Sequence, residues 1–275
     1  MTLETPVAAE PAPSSYRRIL TATSLLGGAT AINLLISMAR SKVVAIVLGP
    51  VGMGLMGVYL SIMGLALSLA SCGLNYSGVR ELAAAVGSGD VEMARRTLLS
   101  FRQLSWFLAL SGTFVLAALA WPISLASFGD VGKAPAIVAL SLTVAAGLGT
   151  SYFTTKIQAA GEVGRVAAMN VASALIGAAA AILCLVVWRE AGVVPALLAG
   201  AGVQYAVSWW YARRLSLPEP VAETRGSSEI RGRLLQLGGL VMIIGLMASA
   251  VMFAVRSVVM QQLGPEAVGY FQSAA

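Results

Sequence analysis

RILTATSLLGGATAINLLISMARSKVVAIVLGPVGMG, residues 18–54, decides the fold. It opens with 21 consecutive uncharged residues, Ile19 to Ala39, and after Arg40-Ser41-Lys42 returns to an apolar run punctuated by Gly49-Pro50. About 20 mostly apolar residues suffice to carry a helix across a bilayer. Ile19–Val47 therefore reads as one membrane span with a mildly polar last third, and Leu48-Gly49-Pro50 as the turn into the next. Arg17-Arg18 and the small residues around Ser37-Met38-Ala39 have the outline of a cleavable signal. The run is longer than the usual 7–15-residue signal core, however, and more membrane follows it.

Composition extends the same reading to the whole chain. Of 275 residues 58% are hydrophobic and only 11% charged, with a mean hydropathy of +0.83. Soluble domains carry about 25% charged residues, so this chain lacks the polar surface that a water-soluble fold needs. The net charge of +6 sits in short clusters between apolar runs. That pattern suits loops facing an anionic leaflet and not the solvated basic face of a nucleic-acid binder. Cys72 and Cys184 fall inside apolar runs and histidine is absent, so no metal, cofactor or hydrolytic centre is expected.

Seven spans and the start of an eighth follow from the same length rule: Ile19–Val47, Met53–Val79, Leu104–Leu125, Ala134–Thr155, Val166–Trp188, Gly192–Ala212, Leu234–Val255 and the run from Val268 to Ala275. The Pro/Ala/Ser/Glu-rich residues 1–16 read as a disordered tail. Residues 17–212 form an N-terminal six-helix lobe. Residues 213–233, with Pro218, Pro220 and Gly226, read as a linker, and 234–275 as an incomplete second lobe. Alternate sides of the spans carry 13 and 5 Lys/Arg residues. The positive-inside rule then puts the N-terminus in the cytoplasm.

A shift of 215 residues lays the seventh span on the first. Arg18 falls on Arg233, Val43-Val44 on Val258-Val259, Leu48-Gly49-Pro50 on Leu263-Gly264-Pro265, and Gly54 on Gly269, giving 10 identities in 43 positions. Six spans separate the two starts, so the repeat is parallel, with its axis along the membrane normal. By repeat arithmetic the intact protein would approach roughly 430–450 residues, and this chain reads as truncated.

Chemistry-bearing residues are few. Thr23, Gly27, Thr30, Asn33, Ser37 and Arg40 share one face of the first span. Ser61, Gly64, Ser68, Ser71 and Asn75 mark the second. Asn170 with Ser173, and Gln204 with Ser208, form shorter stripes. Such stripes serve helix packing or line a hydrated cavity. Arg40, Lys42 and Arg256 are expected near the outer ends of their helices, either as snorkelling anchors or facing one another across a central path. Arg80, Arg95, Arg96 and Arg102 belong to the loop between spans two and three, as topology determinants or as a vestibule for a phosphate-bearing headgroup.

The ordered set Ser41-Lys42-Val43-Val44, Leu48-Gly49-Pro50, Gly52, Gly54, Gly57 and Val58-Tyr59 resembles the start of the Wzx-type O-antigen and enterobacterial-common-antigen flippases. These form part of the polysaccharide transporter branch of the multidrug/oligosaccharidyl-lipid/polysaccharide exporter (MOP) superfamily. Cys72-Gly73-Leu74-Asn75 through Arg80, then Gln158, Gly161 and Asn170, and finally Leu263-Gly264-Pro265 with Gly269-Tyr270 continue the likeness. The resemblance implies an all-α polytopic transmembrane bundle with a MATE-like two-lobe architecture, its second lobe cut short. It implies movement of undecaprenyl-pyrophosphate-linked oligosaccharide across the bacterial inner membrane to the periplasmic leaflet. Implied partners are that lipid-linked substrate, membrane lipids and polysaccharide polymerase machinery. On this basis Arg40, Lys42 and Arg256 are expected to meet the headgroup, and Asn33 and Ser37 the sugars. The competing expectations are a MATE-like cation or drug antiporter, which normally needs a buried carboxylate, and a non-transporting fragment.

Overall fold

The computed structural model describes residues 13–215 and 227–274, and all eight helices named below lie within them. Among the described residues there is no β-strand. Helix α1 runs Pro13–Ser71 and contains a sharp elbow at Gly49, with φ 65° and ψ −173°. Only glycine adopts that backbone without strain, and Pro50 opens the descending half as an N1 proline. Helix α8, Ser227–Ala274, repeats the device at Gly264 (φ 82°, ψ 178°) followed by Pro265. The Leu-Gly-Pro punctuation read from sequence is thus one conformation used twice.

Between these lie α2 (Leu74–Gly87), α3 (Val91–Ala118), α4 (Ala120–Phe128), α5 (Ala134–Ala159), α6 (Val163–Trp188) and α7 (Val193–Ala212). The apolar stretches Thr23–Ser71 and Val163–Ala212 are 49 and 50 residues long. Each is twice the length one crossing requires and each turns midway, at Gly49 and at the 3-10 turn Arg189–Gly192. With α3, α5 and the first part of α8 they give the seven expected crossings, and α8 turns into an eighth after Gly264. The chain is a multi-pass membrane protein.

Several boundaries differ from the sequence reading. The second span does not run unbroken to Val79. Cys72 (φ 45°) and Gly73 (φ 65°) take left-handed conformations and end α1 at Ser71. The stretch bearing Arg80, Arg95, Arg96 and Arg102 is a helical hairpin and not a loop. The Asp90 carboxylate caps α3 by accepting from the amides of Glu92 and Met93, each at 3.0 Å. Ala94, Leu98 and Phe101 are then buried along one face of α3, and Leu98 and Phe101 pack with Leu74, Leu82 and Tyr152. Hydropathy misses this helical extension because its other face is charged. The expected linker 213–233 is likewise helical from Ser227, and the expected disordered tail already enters α1 at Pro13. The remainder of those two expectations, residues 1–12 and 216–226, lies outside the described residues.

Candidate functional site

The lobe formed by α1–α7 meets α8 along a seam of small residues. A Cβ on Gly54 would overlap the carbonyl oxygen of Pro265, and one on Gly269 would overlap that of Pro50. The two contacts are related by the 215-residue repeat, as a self-complementary contact about a twofold axis requires. The seam continues down the membrane. The Arg256 guanidinium donates to the Gly57 carbonyl at 3.1 Å and to the Ser61 hydroxyl oxygen at 2.6 Å. The hydroxyls of Ser68 and Ser249 lie 2.8 Å apart, and Gly73 abuts the backbone of Gly238. Ser61 to Ser68 and Arg256 to Ser249 are both seven-residue steps, taken in opposite directions, so the two helices pack antiparallel in heptad register. The second-span stripe is therefore in large part a packing face. Gly64 is an open position within it and Asn75 is exposed.

The polar stripe of the first span does something else. Asn33 and Arg40 line a cavity of about 430 Å³ together with Asn170, Ser173 and Gln204, walled by Gly177, Gly200 and Leu60. Arg40 also lines an adjoining cavity of about 210 Å³ with Ser37, Ser41, Met56, Leu60 and Gln272. The guanidinium sits where the intralobe cavity meets the space beneath the second elbow. Among the described residues Arg40 has no hydrogen-bond or ion-pair partner. The Asn33 side-chain oxygen is buried without one. Small residues on the cavity-lining turns of α6 and α7 (Gly177, Ala178, Gly200, Ala201) leave the room in which these polar groups converge.

The site residues expected from sequence thus divide. Asn33, Ser37 and Arg40 come together. Lys42 is exposed and lines neither cavity. Arg256 is held on Gly57 and Ser61, so its guanidinium joins α8 to α1 instead of standing free opposite Arg40. The expected depth also changes. Because α1 continues to the elbow at Gly49, Arg40 lies nine residues before it, about 13 Å along the axis at 1.5 Å per residue. Arg256 lies eight residues before Gly264, about 12 Å. Both cations are well inside their helices and not at the ends. Sequence reasoning did not assign Asn170, Ser173 and Gln204 to the site, and it missed Gln272. The signal for Gln272 was its place 215 residues after Gly57, on which its side chain packs.

Among the described residues the acidic groups stand elsewhere. Glu81, Asp90, Glu92, Asp130, Glu162, Glu190 and Glu266 all occupy helix ends or the α2–α3 extension, and none lines either cavity. Among the described residues no cluster of His, Cys, Asp and Glu is suited to a metal ion.

The profile of the family described as polysaccharide biosynthesis protein matches residues 19–275. The chain belongs to that family. The chain also shares its fold with solved transporters of the MOP superfamily. It is similar to the MATE multidrug transporter DinF-BH, at 17% identity and a TM-score of 0.71, over 100% of this chain and 63% of that one. A multidrug resistance MATE family transporter in an inward-facing conformation aligns at 20% identity and TM-score 0.65, covering 88% and 57%. A MOP superfamily transporter from Pyrococcus furiosus, whose structure was described as having a binding pocket of reverse polarity, aligns at 19% and 0.66, covering 92% and 58%. The chain therefore spans about six-tenths of the length of the structures it matches. No curated protein matches it closely. The all-α, MATE-like architecture implied by the resemblance is the fold observed.

Proposed function

We propose that this family member works as a flippase for an anionic lipid-linked glycan, an undecaprenyl-pyrophosphate-linked oligosaccharide of the O-antigen type, in the bacterial inner membrane. The observation that carries the reading is Arg40, a guanidinium well inside the first helix with no partner among the described residues. Asn33, Asn170, Ser173 and Gln204 surround it, and no carboxylate lies in its cavity. Even a half-buried cation without a counter-ion is costly in a membrane and is retained where an anionic partner supplies the missing charge. Guanidinium suits a pyrophosphate because its planar fork donates to two oxygens at once. The amide and hydroxyl groups around it match the donors and acceptors of a sugar. A cavity of about 430 Å³ takes a headgroup and its first sugar, and the lipid tail stays in the bilayer.

The 13-to-5 distribution of Lys and Arg supports an orientation with residue 13 and the α2–α3 hairpin on the cytoplasmic side. Arg40 then lies in the outer half of the membrane, on the way to the periplasmic leaflet. Arg80, Arg95, Arg96 and Arg102 present positive charge where the substrate is loaded.

The test is surface polysaccharide display in cells producing Arg40→Ala or Lys42→Ala at matched membrane levels. Loss with the first and retention with the second supports the reading. Undiminished display with Arg40→Ala removes it.

A further inference from the structure

The end of α7 carries a second basic feature, distinct from the cavity. Trp209-Trp210-Tyr211-Ala212-Arg213-Arg214 closes the helix, and both arginines are exposed. The chain folds each arginine back onto the tryptophan four residues earlier, on the adjacent turn. The Arg213 guanidinium carbon lies 4.8 Å from the Trp209 ring centroid and that of Arg214 3.7 Å from Trp210. Stacking occupies the face of a guanidinium and leaves its N–H donors, which lie in the plane, pointing outward. A third arginine, Arg165 of α6, donates to the Arg214 carbonyl at 3.3 Å and so ties the start of α6 to this corner. Its own charge is balanced by Glu162 at 3.1 Å. Among the described residues Arg213 and Arg214 have no carboxylate partner. They stand at the last turn of a membrane span, where tryptophan rings settle at headgroup level.

We propose that Arg213 and Arg214, held by Trp209 and Trp210, form a binding site for the phosphate of an anionic phospholipid headgroup. The pair carries two positive charges that no carboxylate balances among the described residues, its donors are pre-aimed by stacking, and the ligand that lies at that depth beside an exposed tryptophan is a phospholipid. The site pins the end of α7, and with it the start of α6, to the headgroup layer, and it does not depend on the flippase reading.

Native mass spectrometry of the purified protein in dodecyl maltoside tests this, with dioleoylphosphatidylglycerol or dioleoylphosphatidylcholine added at equal concentration. The wild type should retain phosphatidylglycerol over phosphatidylcholine by at least about tenfold, and the Arg213→Gln/Arg214→Gln pair should lose that preference. Arg213→Lys/Arg214→Lys, which keeps charge but not planar stacking, should retain part of it. Trp209→Leu/Trp210→Leu keeps both charges and guards against misfolding of the Gln pair, and it should weaken retention several-fold. An unchanged preference in the Gln pair overturns the site. Displacement of the lipid by an equal concentration of inorganic phosphate also overturns it, because the pocket would then recognise the free ion.

Discussion

The backbone at Gly54 lies directly against the carbonyl of Pro265, and the repeat partners Gly269 and Pro50 meet in the same way. Two elbows that break the helix at equivalent glycines are thus locked together. The first lobe and the opening of the second are one packed unit at this end of the membrane. This relationship organises the molecule: it orients α8 against the descending half of α1, carries Arg256 to Gly57, and leaves Arg40 to face the interior of its own lobe.

Gly54→Ala would drive a methyl group into the Pro265 carbonyl, a backbone atom that has no rotamer to escape into. Overpacking of this kind costs about 1–3 kcal/mol, and Gly269→Ala should cost a similar amount. Gly64 lies on the same helix with nothing within 4 Å of an added Cβ. Gly64→Ala should therefore be neutral, or stabilising by up to about 1 kcal/mol through helix propensity. Thermal unfolding in detergent separates the two outcomes, and equal melting temperatures for Gly54→Ala and Gly64→Ala would exclude the packing described.

Arg256 is read as a clamp between α8 and α1, with the Gly57 carbonyl and Ser61 as acceptors. Removing hydrogen bonds from a charged donor costs about 1.5–3 kcal/mol. Arg256→Ala should lower resistance to unfolding by that amount, and Ser61→Ala by less, since the Gly57 bond survives. If Arg256→Ala unfolds like the wild type while activity falls, the guanidinium serves the substrate and not the seam.

Ser68 and Ser249 lie with their hydroxyl oxygens 2.8 Å apart across the same seam. The Ser68→Cys/Ser249→Cys pair should cross-link on mild oxidation, read as a mobility change after cleavage in the intervening 216–226 segment. Ile243 is 51% exposed on α8, so Ser68→Cys/Ile243→Cys should stay reduced under the same conditions. Cross-linking of the second pair in place of the first would mean a different register.

Gly49 has a positive φ that other residues reach only with strain, so Gly49→Ala should destabilise by about 1–3 kcal/mol. Gly264→Ala should do the same, and because the elbows interlock the double variant should lose less than the sum. Strict additivity in chemical unfolding would show that the elbows act independently.

Sequence and structure agree where hydropathy alone decides. The crossings were legible because about 20 apolar residues in a row admit few alternatives, and Leu-Gly-Pro marked both elbows. The start of α3 was not legible: Arg95, Arg96 and Arg102 look like a loop until Ala94, Leu98 and Phe101 are seen to share the opposite, buried face. Arg40 and Asn33 were legible as one face of one helix. That Asn170, Ser173 and Gln204 converge on that face depends on how α6 and α7 rotate about their axes, which small-residue spacing does not fix. Arg256 misled because its repeat partner is Ser41, so the repeat offered no template for a cation that turns onto Gly57.

The flippase reading rests on the charge of Arg40, and leaflet-resolved labelling of the lipid-linked glycan tests it most directly. Membrane vesicles of defined orientation carrying wild type, Arg40→Ala or Arg40→Lys at equal abundance are compared for glycan reaching the outer leaflet. Loss of a charge-assisted contact of about 1.5–3 kcal/mol predicts a fall of roughly tenfold to a hundredfold for Arg40→Ala, with partial recovery for Arg40→Lys. Wild-type transfer by Arg40→Ala would contradict the account.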